Sequence, residues 1–348
     1  MDMIVVCIIL GAVVYFICGF FWKRPLHISS LKGKHVLITG ASSGIGLALA
    51  EQALSEGAYV TVTGRNSATL KNAIAFLSKR VADSSHRIEM KVADVADYKA
   101  MTDTIRESDS WKPIDVVICN AGLTRSGYLD QVAVEDLELT VRTNILGVVY
   151  AVHAVLPLMK RRSPKHPMAI VLIGSLASLF LMYGNSVYTG TKYALKGIAE
   201  SLRLELLPYS IKVNLICPGF VRTPFLDEAE KADDLQTLMK DVNLYDRNQA
   251  HSPEEVAQRT LKAVKEGSSI VTMTPVLGSA LLMLARGFMP DDSILKTLQE
   301  MLLYPLVRLF SIVAQIEMHR KIRAYHRKQP VGEAVHDGEQ APLCSGLS

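Results

Sequence analysis

Between residues 33 and 219 the chain alternates short β-branched runs with stretches of helical spacing, and the first run opens into a glycine-rich turn. The runs GKHVLITG, AYVTVTG, residues 87–93, IDVVICN, MAIVLIGS and IKVNLICPG each read as a strand that is apolar on both faces. Between them the spacing predicts helices near 44–57, 67–80, 97–109, 134–162 and 186–207. Strands without a polar face must be covered on both sides, and helices joining successive strands provide that cover. The expected fold is therefore α/β, a Rossmann-like doubly wound parallel sheet. No internal repeat is visible.

The turn TGASSGIG places Gly40, Gly44 and Gly46 between the first strand and the first helix. Glycines there allow a tight turn and let the backbone approach a pyrophosphate seated on the helix N-terminus. The spacing is G-x-x-x-G-x-G rather than G-x-G-x-x-G. NAD-preferring sites commonly end the second strand in an acid that holds the ribose 2′-hydroxyl. Here the strand ends TVTGRN, without an acid and with Arg65. A guanidinium suits a 2′-phosphate, so NADPH is the expected cofactor; the alternative is an arginine that merely starts an exposed helix.

The chain is 348 residues long, enough for one large α/β domain with extensions, and its mean hydropathy of +0.21 is high for a purely soluble enzyme. The excess sits at the ends. Residues 4–22 carry no charge, are long enough to cross a ~30 Å hydrocarbon core, and are followed at once by Lys23 and Arg24. Basic residues after the run, and no small-residue cleavage site, favour an uncleaved transmembrane helix at 1–24 over a signal peptide. The positive-inside rule then keeps the remaining chain in the cytosol. After a linker at 25–32, the Rossmann-like domain is expected over 33–274, with a polar helical insertion at 225–258 that covers a cleft or is simply solvated. Residues 275–319 are apolar but interrupted by Arg286, Lys296, Glu300 and Arg308, and 320–328 are basic. The stretch 275–329 fits membrane-associated helices better than spanning ones, the alternative being a buried extension of the core. A disordered tail is expected over 330–348. A net charge of +4 without a long basic run gives no nucleic-acid signal. Five cysteines without C-x-x-C spacing or a nearby His cluster indicate neither a disulfide framework nor a metal site.

Tyr188 and Lys192, in SVYTGTKYALKG, stand four residues apart and share one helix face. Such a pair is often ordinary amphipathic surface; alternatively the cation favours phenolate and makes the hydroxyl an acid–base group. Context favours the second reading. Ser175 ends the preceding strand on the carboxyl edge, where doubly wound sheets bind ligands, and ICNAG brings Asn120, Ala121 and Gly122 to the same edge.

These residues, in this order, resemble the short-chain dehydrogenase/reductase family over roughly residues 33–225. The motifs are T-G-x-x-x-G-I-G at 39–46, N-A-G at 120–122, Asn144, Ser175, Y-x-x-x-K at 188–192 and P-G at 218–219. The resemblance implies that Tyr188 donates a proton to a carbonyl oxygen and that Lys192 lowers the phenol's pKa and holds the nicotinamide ribose. Ser175 would hydrogen-bond the carbonyl, and Asn144 would support a water-linked proton relay. Ser42, Ser43 and Ile45 would line the pyrophosphate turn, Asp94 and Val95 would lie near the adenine, and Pro218, Gly219 and Thr223 near the carboxamide. The anchor and C-terminal apolar segment look most like membrane-anchored 3-ketodihydrosphingosine reductases, which reduce a long-chain sphingoid ketone with NADPH. That implies an endoplasmic-reticulum membrane in a eukaryote, a lipid substrate, and the homo-oligomers common in the superfamily. The segment CPGFVRTPF is the generic short-chain form. A membrane-anchored retinoid or steroid dehydrogenase shares the same residues, and a non-catalytic lipid-binding scaffold is the alternative from another class.

Overall fold

The computed structural model describes residues 27–163, 165–229, 250–285 and 294–328. The expected anchor at 1–24, the middle of the 225–258 insertion and the tail at 330–348 lie outside the described residues. Seven strands form one sheet: β1 (His35–Thr39), β2 (Tyr59–Gly64), β3 (Ile88–Val92), β4 (Val116–Cys119), β5 (Met168–Ile173), β6 (Ile211–Cys217) and β7 (Ile270–Thr272). Their order is β3-β2-β1-β4-β5-β6-β7, and every pairing is parallel. The order reverses between β1 and β4, the switch point at which such sheets open a ligand crevice at their carboxyl ends. The short edge strand β7 has no counterpart in the sequence reading.

The helices are α1 (Gly44–Ser55), α2 (Ser67–Arg80), α3 (Tyr98–Trp111), α4 (Val134–Val141), α5 (Gly147–Arg162), α6 (Ser186–Glu205), α7 (Pro224–Ala229), α8 (Pro253–Glu266), α9 (Pro275–Ala285) and α10 (Ile294–Lys328). Alternate strand residues feed two cores because side chains of a strand point to opposite faces. Val36, Ile38, Val60, Val62, Val116 and Ile118 pack with Leu49 and Leu54 of α1, Leu70 and Leu77 of α2, and Val256 and Leu261 of α8. Leu37, Val117, Ile170, Leu172 and Leu215 pack with Met101 and Ile105 of α3, Val152 of α5 and Leu195 of α6.

Residues 253–258, read from sequence as part of a polar insertion, start α8. A capping box between Ser252 and Glu255 begins that helix, and it lies against α1 with Val256 and Ala257 fully buried. The expected single helix over 134–162 is interrupted: Arg142–Leu146 form a π turn between α4 and α5. It carries Asn144, which lies behind the wall of the site. This apolar stretch is long enough to cross a membrane, but it packs into the domain; among the described residues the other such stretch, Glu300–Tyr325 of α10, has none of its apolar window buried.

The amino edge of the sheet is tied by His35. Its Nδ1 lies 2.6 Å from the Lys112 carbonyl and therefore donates, while Nε2 lies 2.9 Å from the Thr61 hydroxyl, which in turn bonds Glu89. Burial lowers the imidazole pKa below its ordinary 6.5, against the opposing pull of the Lys112 carbonyl and of Glu89, Asp115 and Asp109. The unfolded chain therefore binds a proton that the folded chain refuses, so stability falls as pH drops below about 6.5. Urea midpoints measured between about pH 5 and pH 7.5 should show a steeper acid-side loss in the wild type than in His35→Leu. Equal slopes would exclude His35 as the source.

Candidate active site

The turn after β1 leaves no room for side chains. Gly40 has φ +65°, and a Cβ on it would stand 2.8 Å from the Cα of Ala121. Gly44 has φ +55°, and a Cβ on Gly46 would meet the Gly40 carbonyl oxygen and the Asn120 amide nitrogen. The turn is therefore closed against β4 by glycine alone. Ser43, at the N-cap of α1, makes no side-chain cap bond, so the first N–H groups of this 12-residue helix are available to an anion.

Two hydrogen-bonded clamps hold the crevice. Thr39 Oγ1 accepts from the backbone N–H of Asn120 (3.0 Å) and of Ala121 (3.1 Å). Asn120 Nδ2 donates back to the carbonyls of Thr39 and Gly40, each at 3.0 Å. The ends of β1 and β4 are thus fixed across the switch point. In the second clamp, Asn144 Oδ1 accepts from Leu123 N–H (2.9 Å), and its Nδ2 donates to the Leu123 carbonyl (2.9 Å) and to Thr191 Oγ1 (3.1 Å). Thr191 donates to the Tyr188 carbonyl at 2.7 Å. The Asn144 side chain, 1% exposed, is committed to joining the loop after β4 to the helix that carries Tyr188. Thr39 opens the glycine motif, and Thr191 occupies no motif position; the clamping contacts of both appear only in the folded chain.

Ser175, Tyr188 and Lys192 meet at the carboxyl end of β5. Ser175 caps a short 3-10 turn, its Oγ accepting from Ala177 N–H at 3.1 Å. Tyr188 and Lys192 are 8% and 6% exposed on α6. The Lys192 ammonium sits 5.6 Å from the centre of the Tyr188 ring and donates to the Ile173 carbonyl at 3.0 Å. Burial pushes the Tyr188 phenol up to about 12, countered in part by a hydrogen bond from the Ser175 hydroxyl. Burial likewise draws Lys192 down to about 8. In this geometry burial outweighs the ammonium, which is aimed at a backbone carbonyl. The phenol is raised, where the sequence led us to expect it lowered.

These groups open onto a cavity of about 1060 Å³. Its walls include Gly40, Ser42, Ser43, Gly44, Ile45, Arg65, Val95, Asn120, Ala121, Gly122, Ser175, Tyr188, Lys192, Pro218, Gly219 and Thr223, so these sequence candidates are brought together. Gly46, Asp94 and Asn144 stand outside the lining: Gly46 packs under the turn, Asp94 accepts from Ala96 N–H at 2.9 Å, and Asn144 is the clamp described above. The glycine cradle, the open helix N-terminus and Arg65 at the end of β2 suit a nicotinamide dinucleotide. Beyond the Tyr188 end the cavity continues between apolar residues of α9 and α10, including Leu277, Leu281, Leu284, Val307 and Met318. Sequence periodicity did not place either helix at the site. Among the described residues no cluster of three His, Cys, Asp or Glu side chains forms a metal site.

A family model described as short chain dehydrogenase matches residues 34–234. A 3-dehydrosphinganine reductase of Arabidopsis thaliana is 32% identical over 312 residues, covering 88% of this chain and 90% of that protein. A 3-ketodihydrosphingosine reductase of Mus musculus is 30% identical, with 86% and 87% covered. Among solved structures, a short-chain dehydrogenase from Sphingobium yanoikuyae in complex with NADPH is 26% identical, with a TM-score of 0.59 over 69% of this chain and 87% of that one. Sheet order, glycine cradle and the meeting of Ser175, Tyr188 and Lys192 agree with these matches, and the chain belongs to the short-chain dehydrogenase family of oxidoreductases.

Proposed function

We propose that this chain reduces a long-chain lipid ketone to its alcohol with NADPH, converting 3-ketodihydrosphingosine to dihydrosphingosine at a membrane surface. One observation carries the reading: Ser175, Tyr188 and Lys192 converge in a cavity that joins a dinucleotide cradle to an apolar cleft between α9 and α10. The names of the relatives that span most of the chain support the substrate.

Gly40, Gly44 and the first turn of α1 would hold the pyrophosphate, and Arg65 the 2′-phosphate. Bound there, the cofactor supplies a hydride. The chain's own groups manage the proton. A phenol held near 12 stays protonated at neutral pH, which suits Tyr188 as donor to the carbonyl oxygen in the reductive direction. The Ser175 hydroxyl donates a second hydrogen bond to that oxygen and stabilises its developing charge. Lys192 places positive charge beneath both. Asn144 and Thr191 are positioning residues that hold α6 against the loop after β4. The apolar run at 4–22 followed by Lys23 and Arg24 would anchor the domain on the cytosolic face of a membrane, the endoplasmic reticulum in a eukaryote.

Detergent-solubilised full-length protein should oxidise NADPH when given 3-ketodihydrosphingosine. Binding of NADPH without turnover of this ketone, or turnover of a retinoid or steroid instead, would overturn the substrate. The cofactor has its own test. Arg65→Glu should raise the KM for NADPH by about ten- to a hundredfold through loss of charge-assisted hydrogen bonds, and change that for NADH little. Equal effects on both would remove the 2′-phosphate from Arg65.

A further inference from the structure

The C-terminal helix α10 has two working flanks. Val307, Ala314 and Lys321, at i, i+7 and i+14, line the reaction cavity, with Ser311 and Met318 between them. Leu302, Leu309 and Ile316 repeat at the same interval but start five residues earlier, which turns them about 140° round the helix. They are 79%, 61% and 63% exposed. The outward flank then changes character: Arg320, Arg323 and Arg327 follow Ile316 on the same side and are exposed. A helix whose one flank is taken up by the cavity and whose open flank is apolar at Leu302, Leu309 and Ile316 needs a second apolar medium on that open side.

Where that medium lies follows from the fold. The outermost strand β7 carries α9, and α9 carries α10. Residue 27 enters at the same side, since a Cβ on Gly267, just before β7, would stand 3.5 Å from His27 Cβ. The uncharged run ends at Trp22, five positions before His27, a reach of at most about 18 Å. The described chain thus begins beside the β7 edge, the edge that carries α9 and α10. The 35-residue helix α10 is about 52 Å long, and residues lining the cavity occupy about 21 Å of it, so it runs beside the domain and is not free to cross the bilayer.

We propose that α10 is a wall shared by the reaction cleft and a lipid bilayer. Its outward apolar flank lies among the acyl chains of one leaflet and its arginine end among anionic headgroups. A lipid ketone passes sideways from that leaflet into the cleft along α10, without crossing water. This rests on the lipid-ketone reading above and on the anchor.

The test uses full-length protein reconstituted in phosphatidylcholine–phosphatidylserine vesicles with brominated acyl chains. The two tryptophans, Trp22 and Trp111, are replaced by Phe, and a single reporter is introduced as Leu302→Trp, Leu309→Trp or Ile316→Trp. Loss of at least about half of the emission is expected at Leu302 and Leu309, with less at Ile316 beside the arginines. Phe76→Trp, on α2 near the opposite sheet edge, should stay unquenched. In a second arm, Leu302→Asp with Leu309→Asp should slow reduction of a vesicle-borne long-chain ketone at least about tenfold and leave a water-soluble short-chain ketone within about twofold. Emission at all three positions matching Phe76→Trp overturns the proposal, as does an unchanged rate with the vesicle-borne ketone. A parent protein that reduces neither ketone counts against the reductase reading, and quenching then decides the wall.

Discussion

Tyr188→Phe should lower kcat/KM for the ketone by about a hundred- to ten-thousandfold and leave cofactor affinity within a few-fold. The substitution removes one oxygen from a ring that is 8% exposed and lies 6.1 Å, centre to centre, from Phe225. Packing is kept, so the melting temperature should move little. What disappears is the proton donor and its hydrogen bond with Ser175. Burial, against the lowering pull of the Ser175 hydrogen bond, carries the phenol to about 12, so the wild-type reduction rate should not fall through deprotonation of Tyr188 anywhere in the neutral range. Steady-state NADPH oxidation, with a separate fluorescence titration of NADPH, distinguishes the two effects. Retained turnover in Tyr188→Phe would move the proton source elsewhere.

The residues proposed to carry this chemistry were legible because each obeys a local rule. Strands covered on both faces must be apolar throughout, so VLIT, YVTVT and MAIVLI announce themselves. A turn at φ +65° and +55° selects glycine at Gly40 and Gly44. Other features obey no local rule. The π turn at Arg142–Leu146 adds one residue to a helical turn without disturbing the apolar spacing on either side, and its purpose appears only when Asn144 reaches Leu123 and Thr191. Strand β7, three residues long, is too short to show a period. The start of α8 reads as polar because Glu254 and Glu255 occupy its first turn, yet Val256 and Ala257 behind them are core. In α10 both flanks are apolar, so periodicity cannot say which faces the cavity. The raised phenol is of the same kind: an ammonium four residues away suggests one sign, and complete burial, invisible along the chain, imposes the other.

Lys192→Met should abolish most turnover while stabilising the fold, two effects of opposite sign from one atom. Its Nζ is buried, with a hydrogen bond to the Ile173 carbonyl and the Tyr188 ring 5.6 Å away. A charge so placed is costly, and burial draws the lysine down to about 8 from its ordinary 10.5. At pH 7 the group is still protonated in both folded and unfolded chains, so the full cost is present. Between about 8 and 10.5 the unfolded chain binds the proton and the folded chain does not, so wild-type stability rises with pH across that window. Methionine, of similar length and uncharged, should add about 1–3 kcal/mol at pH 7, and the advantage should shrink as pH climbs past about 8. Activity should fall by about a hundred- to ten-thousandfold, because the positive charge beneath the reacting oxygen is gone. Lys192→Arg should not rescue it: the position is buried and Nζ is aimed at the Ile173 carbonyl, whereas a planar guanidinium is larger and needs a different set of acceptors. Urea unfolding at pH 7 and at about pH 9.5, beside kcat/KM for the same preparations, gives both signs. A variant that loses activity without gaining stability would mean that the lysine is solvated or paired in the folded chain, and the buried charge would no longer explain why this position is kept for a cation.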